Sequence, residues 1–123
     1  MSRGDKGYPR QERMQYRWEF DQVKKHGLSF VGKFIVLSIV EHKQIDRRRI
    51  GYVITKRIGP AIIRNGIKRV LREIYRLHRE VFNNGISIVI IARPAAVKAS
   101  YREFNKEFLN LYQLARKSIW DST

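Results

Sequence analysis

The stretch from Pro60 to about Phe82 constrains the fold most, because its polar and apolar residues do not mix. On a helical wheel at about 100° per residue with Arg64 at zero, Lys68, Arg69, Arg72, Arg76 and Arg79 fall between roughly 40° and 140°. Asn65 and Tyr75 belong to the same side. Ile63, Ile67, Val70, Leu71, Ile74 and Leu77 fall between roughly 220° and 340°. The spacing predicts a long amphipathic helix with one face packed on a core and the opposite face a dense cationic surface. Like charges at Arg64/Lys68, Lys68/Arg72 and Arg72/Arg76 cost about a few tenths of a kcal/mol per pair in an isolated helix. A phosphate backbone reverses that cost, and Arg adds bidentate contacts and stacking. The bland alternative is a solvated charged face, but ordinary helices mix signs, and Glu73 is the sole acid between Arg47 and Arg79.

The whole chain repeats this bias. Its 123 residues suit one compact domain, and a hydrophobic fraction of 43% is enough for a modest core. Lys and Arg number 26 against 11 Asp and Glu, a net charge of +15. Such an excess calls for a polyanion. Nucleic acid is the first candidate and an anionic membrane surface the second. The apolar runs Phe34–Val40 and Ile86–Ala92 are far shorter than a span of about 20 residues. No signal-peptide pattern is present, and with no cysteine there are no disulfides or thiolate metal sites. Together these fit a cytoplasmic protein. Charge alone does not choose RNA over DNA.

Residues 1–16 carry Gly4, Gly7 and Pro9 among charges and read as a flexible basic tail, leaving 17–123 as the domain. A first helix runs through Trp18, Phe20 and Val23, with Gly27 placed to stop it in a left-handed turn. Phe30–Glu41 reads as strand, either one run or two short strands broken at Gly32-Lys33. Ile45–Arg49 reads as a charged loop and Ile50–Ile54 as a further strand. Asn83-Asn84-Gly85 is a turn signal. Ile86–Ala92 is a strand expected to be buried on both faces. Ser100 and Glu103 form a capping box ahead of a last helix whose stripe is Tyr101, Phe104, Phe108, Leu111, Ala115 and Ile119. The order is helix, strands, helix, strand, helix: an α+β domain with one small sheet.

No protein active site is visible. His26, His42 and His78 are scattered, and Asp21 and Glu73 make no carboxylate pair. Gly51, Gly59 and Gly66 make no phosphate loop. A metal-dependent nuclease needs clustered acids, which are missing. A structural RNA-binding protein, such as a ribosomal protein, and a DNA-binding protein remain as rivals. The interspersed strands and the lack of zinc-finger spacing weigh against the latter.

At Gly51-Tyr-Val53-Ile-Thr-Lys56-Arg57-Ile-Gly59-Pro-Ala61-Ile-Ile-Arg64-Asn65-Gly66-Ile-Lys68-Arg69-Val-Leu-Arg72-Glu73 the chain resembles the bacterial ribonuclease P protein family. Members carry Gly-x-x-Val-x-Lys-Lys-x-Gly-x-Ala-Val-x-Arg-Asn-Arg-x-Lys-Arg-x-x-Arg-Glu. The likeness extends to Glu19-Phe20-x-x-Val23 and to Ile88-Val-Ile-Ile-Ala-Arg93-Pro94. It implies a four-stranded sheet with a left-handed βαβ crossover, like the second domain of ribosomal protein S5. It also implies a non-catalytic subunit of an endoribonuclease that removes the 5′ leader from precursor tRNA. The RNA subunit carries the active site, and Mg²⁺ is bound mainly by RNA and substrate. The implied partners are ribonuclease P RNA and precursor tRNA, with no membrane and no obligate protein partner.

Carried over residue by residue, Lys56, Arg57, Arg64, Asn65, Lys68, Arg69 and Arg72 fall on the RNA-facing motif. Arg76 extends that face on the wheel. Phe20 falls on the aromatic of a leader cleft between the first helix and the sheet. Regular alternation along the strand puts Phe34, Val36, Ser38 and Val40 on one face. The resemblance places that face toward the first helix, beside Phe20, and so implies Phe34, Ser38 and Lys24 as cleft residues, although Phe20 and Phe34 read equally well as core. Gly66 stands where the motif has its second Arg, and Lys24 and Ser38 stand where many members have aromatics. The groove is expected to lean on charge more than on stacking.

Overall fold

A computed structural model of the chain describes residues 12–42 and 47–120. Helix α1 (Arg17–His26) leads into strands β1 (Leu28–Val31), β2 (Ile35–Glu41) and β3 (Arg48–Val53). Helix α2 (Ala61–Leu77), strand β4 (Ile86–Ala92) and helix α3 (Tyr101–Trp120) follow. The strands form one mixed sheet in the order β1-β2-β4-β3. β4 pairs antiparallel with β2 and parallel with β3. The parallel pair is joined through α2, because parallel neighbours need a long crossover connection. The architecture is a small α+β domain of three helices and a four-stranded mixed sheet.

β4 lies inside the sheet, and six of its seven residues are buried. That accounts for its nearly continuous apolar run, in which Ser87 is the one polar residue and is itself buried: a strand with pairs on both edges has little room for a polar residue facing solvent. Period-two alternation then divides the chemistry of the two faces. Ile35, Leu37, Ile39, Ile50, Ile86, Ile88 and Ile90 point to the side of α2 and α3. There they form the main core with Ile67, Leu71, Ile74, Phe82, Phe104, Phe108, Leu111 and Tyr112. Full burial of each such side chain is worth about 1.5–3 kcal/mol. The other face lies beneath α1.

Several expectations need correction. The tail expected over 1–16 falls outside the described residues only for 1–11. Residues 12–16 are part of the domain: Arg13 bridges Ile50 in parallel, and the Met14 N–H donates to the Ile50 carbonyl at 3.0 Å. Gly27 is extended (φ −85°), not left-handed. A Cβ there would collide with the carbonyl oxygens of Val23 and Ile39, so the glycine serves close approach. Arg48 and Arg49, expected in a loop, begin β3 because each finds an acid beside the sheet: Glu12 for Arg48, Glu19 for Arg49. Residues 45–46 of that loop lie outside the described residues. α2 ends at Leu77, not Phe82, and continues as a 3-10 turn over Arg79–Val81. Tyr101 begins α3 exposed, whereas the rest of its predicted stripe packs inward. The capping box is made: the Glu103 carboxylate accepts the Ser100 N–H at 2.9 Å, and Ser100 Oγ accepts the Glu103 N–H at 3.1 Å.

Candidate nucleic-acid interface

Strand register builds the α1 side of the sheet row by row. Gly51, Val89, Ser38 and Ser29 stand in one row. Val53, Ile91, Val36 and Val31 form the next, toward the C-terminal ends of β3 and β4. Arg49, Ser87 and Val40 form the row on the other side. Helix α1 lies against β2 and β4, held down by buried Glu19 and Val23. The Glu19 carboxylate accepts the N–H groups of Gln15 and Tyr16 at 3.0 and 3.1 Å and pairs with Arg49. One carboxylate thus caps the helix and ties it to β3.

Phe20 leans over Gly51, where any Cβ would collide with its ring. That close approach accounts for the glycine in the middle of a strand. Phe20 is half-buried, and Lys24, one turn on, is exposed on the same flank of α1. Beyond them the row Val53, Ile91, Val36 and Val31 is only partly covered, with Val31 64% exposed. The result is a shelf: an apolar floor of branched side chains, walled by Phe20 and Lys24.

Two sequence-predicted members of this cleft lie elsewhere. Phe34 sits in the turn before β2, buried at the edge of the main core against Phe104, ring centroids 6.1 Å apart. Alternation fails there because the turn is gathered toward α3: the Glu107 carboxylate accepts the N–H groups of Lys33, Phe34 and Ile35 at 2.7–2.8 Å. Ser38 is on the α1 face but 4% exposed, its hydroxyl 2.7 Å from that of Ser29. It belongs to the covered row, and Val36 takes the accessible place two residues away. Val36 shares the face that the sequence assigned to the cleft, whereas its row partners Val53 and Ile91 emerge only from the strand register.

At the β3 edge the shelf meets the basic helix. A cleft of about 400 Å³ is lined by Arg13, Met14, Gln15, Phe20, Ile50, Gly51, Tyr52, Lys68 and Arg72. A second, of about 350 Å³, is lined by Arg13, Asn65, Lys68, Arg69, Arg72, Glu73 and Arg76. Arg13, Lys68 and Arg72 are common to both. Asn65, Arg69 and Arg72 are exposed, and Lys56 and Arg57 are exposed on the 3-10 turn that follows β3. Arg64 is partly covered, its Nε donating to the Gly59 carbonyl at 3.0 Å. Lys56, Arg57, Arg64, Lys68, Arg69 and Arg72 make no ion pair among the described residues.

The far end of α2 differs. Arg76 is held by Glu73, Nη2 to Oε2 at 2.6 Å, which keeps the Glu73 carboxyl below the ordinary carboxylate range. Tyr75, expected on the basic face, is 1% exposed and packs on Phe82, while its hydroxyl donates to Glu12 at 2.8 Å. It stands near the boundary of the two faces, and the segment before α1 closes over it. Glu12 also takes Arg79, at 2.9 and 2.6 Å, and lies 3.5 Å from Arg48 Nη2. Burial pushes the Glu12 carboxyl up. Hydrogen bonds from Arg79 and Tyr75 and the charges of Arg48 and Arg79 outweigh it and hold the pKa below the ordinary value. Burial, then Glu12, push the Tyr75 phenol far up. Glu12 was hidden in the sequence by the basic residues around it.

Residues 8–116 match the family model for ribonuclease P. The chain belongs to the ribonuclease P protein family. It is 37% identical over 102 residues to the ribonuclease P protein component of Clostridioides difficile, covering 82% of this chain and 89% of the relative. The fold is similar to the Staphylococcus aureus RNase P protein (TM-score 0.79, 27% identity, 85% and 95% of the two chains). It is likewise similar to that of Thermotoga maritima (TM-score 0.74, 30% identity, 81% and 94%). Family members are the RNA-binding protein subunit of an endoribonuclease that processes tRNA 5′ ends, and catalysis rests with RNA. Among the described residues no group of three His, Cys, Asp or Glu side chains could hold a metal, and no helix is long and apolar enough to cross a membrane.

Proposed function

We propose that the chain binds ribonuclease P RNA through the cationic face of α2 and holds the 5′ leader of precursor tRNA along the shelf beside Phe20 and Lys24. The observation that carries this reading is continuity. Phe20, which walls the shelf, also lines the cleft that holds Arg13, Lys68 and Arg72, and these three cations continue into the cleft along α2, so an RNA strand passing Phe20 meets cations at once. A shelf floored by Val36, Val53 and Ile91 offers apolar contact to bases, with Phe20 for stacking and Lys24 for phosphate. Lys56, Arg57, Arg64, Asn65, Lys68, Arg69 and Arg72 then contact the RNA subunit through phosphates, and Arg76 does so less because Glu73 already holds it.

In this reading Mg²⁺ belongs to the RNA and its substrate. The protein lowers the Mg²⁺ needed by supplying fixed positive charge. Its place is the cytoplasm, where precursor tRNA is made.

Cleavage of precursor tRNA by a ribonuclease P RNA at low Mg²⁺, with and without this chain, tests the reading. The chain should stimulate cleavage and cut nothing alone. Phe20→Ala should weaken holoenzyme binding of precursor tRNA by about tenfold and spare mature tRNA. Robust RNA-free cleavage by purified protein, or equal loss on both substrates, would overturn it.

A further inference from the structure

Across α1 from the shelf lies another cleft, of about 350 Å³. The helical turn that sends Glu19 and Val23 onto the sheet puts Phe20 on one flank and Trp18 and Gln22 on the opposite one. On that second flank Trp18 is 62% exposed and Tyr16, at the helix start, 58% exposed. His42, Arg47 and Ser87 complete the walls. The floor is already satisfied: Arg49 is bound by Glu19, and His42 Nε2 lies 3.0 Å from Ser87 Oγ. Arg47 is exposed and makes no ion pair among the described residues.

Trp18 contrasts with the other tryptophan. Trp120 packs against the main core and donates its Nε1–H to Glu41 at 3.0 Å. Among the described residues the Trp18 side chain has no hydrogen-bond partner and no place in the main core. Two large aromatic faces open to solvent beside a cation suit a ligand with a flat ring and a negative charge, which is a nucleotide. A net charge of +15 makes RNA a favoured visitor. The two flanks are joined by adjacent residues: Gln15 lines the Phe20 side and Tyr16 this one, and Glu19 fixes both by accepting their N–H groups.

We propose that this cleft receives a nucleobase of single-stranded RNA, stacked on Trp18 and Tyr16 with its phosphate on Arg47, and that its source is the part of the leader extending past the Phe20 shelf. The last clause rests on the leader reading above. The first concerns a separate base-binding site on the opposite side of α1.

Two measurements test it. In the full chain carrying Trp120→Phe, Trp18 is the only indole, and a single-stranded oligoadenylate should quench its fluorescence in a salt-dependent way. A duplex RNA or an acidic peptide should quench far less. In the holoenzyme, Trp18→Ala should weaken binding of precursor tRNA with a long leader by about tenfold. The loss should shrink when the leader is cut back to the shelf, and Trp18→Phe should restore most of it. Equal quenching by duplex or peptide would overturn the base site, and equal losses at both leader lengths would overturn the leader as its source. If Trp18→Ala is silent while Phe20→Ala keeps its leader-specific loss, this inference falls and the shelf reading stands. If oligoadenylate quenches Trp18 while neither variant depends on the leader, the base site stands without the leader as its source, and the shelf reading falls.

Discussion

The two ends of α2 carry the same kinds of side chain to different ends. From Arg64 to Arg72 the cations face solvent and the neighbouring clefts without an acid partner among the described residues. At the other end Arg76, and Arg79 in the turn just past the helix, are engaged by Glu73 and Glu12. A cation close to an internal carboxylate gives up its hydration to the fold, whereas a cation crowded by its own kind is destabilised until a polyanion arrives. The role of each arginine is therefore set by the nearest acid. For Arg79 that acid lies 67 residues away in the chain.

The sharpest way to break this contrast is at Glu12. Arg79→Ala leaves a buried carboxylate with Tyr75 and Arg48 alone and should cost about 3 kcal/mol in urea denaturation. Arg72→Ala should stay within about 0.5 kcal/mol. Comparable losses in both would erase the distinction.

Acid addresses the same point more gently. The folded-state pKa of Glu12 lies below its unfolded value. Its contribution is therefore fully present above the unfolded pKa and is lost as pH falls through the folded one. Stability should drop on the acid side, and Glu12→Gln should flatten that part of the profile. An unchanged profile would remove Glu12 from the account.

RNA binding sharpens the comparison from the other end. Lys68→Ala and Arg72→Ala should each flatten the slope of log K against log salt by about 0.7–0.9, the loss of one phosphate contact. Arg79→Ala, measured where it remains folded, should leave the slope alone. The smallest effect is expected at Gly66, where a Cβ meets nothing within 4 Å. Gly66→Ala should raise stability by up to about 1 kcal/mol, and a lower melting temperature would mean that the helix needs the glycine for its shape.

Legibility in the sequence followed the range of the interaction. Ile86–Ala92, the hairpin break at Gly32-Lys33 and the Ser100–Glu103 capping box are local patterns, and each is found in place. The cationic face of α2 was likewise legible because helical periodicity repeats over several turns. Tyr75 was misread because its side is decided by Glu12, far away in the chain. Phe34 was legible only as core or cleft, and the core place is decided by Glu107, more than 70 residues on, which gathers the turn and breaks the alternation. The row that floors the shelf needs the pairing of four strands, which no single stretch encodes.

The pairing of Arg13 and Met14 with Ile50 has a consequence for self-association. β3 is an outer strand of the sheet, and an outer strand with bare N–H and C=O groups is a template for another copy of the same chain. The segment beginning at Glu12 shields part of that edge from within the molecule. A version of the protein shortened past Met14 would uncover the edge and lose the Glu12 anchor in the same cut. Sheet-to-sheet pairing between copies would then compete with RNA for a chain whose like charges are its remaining guard against aggregation.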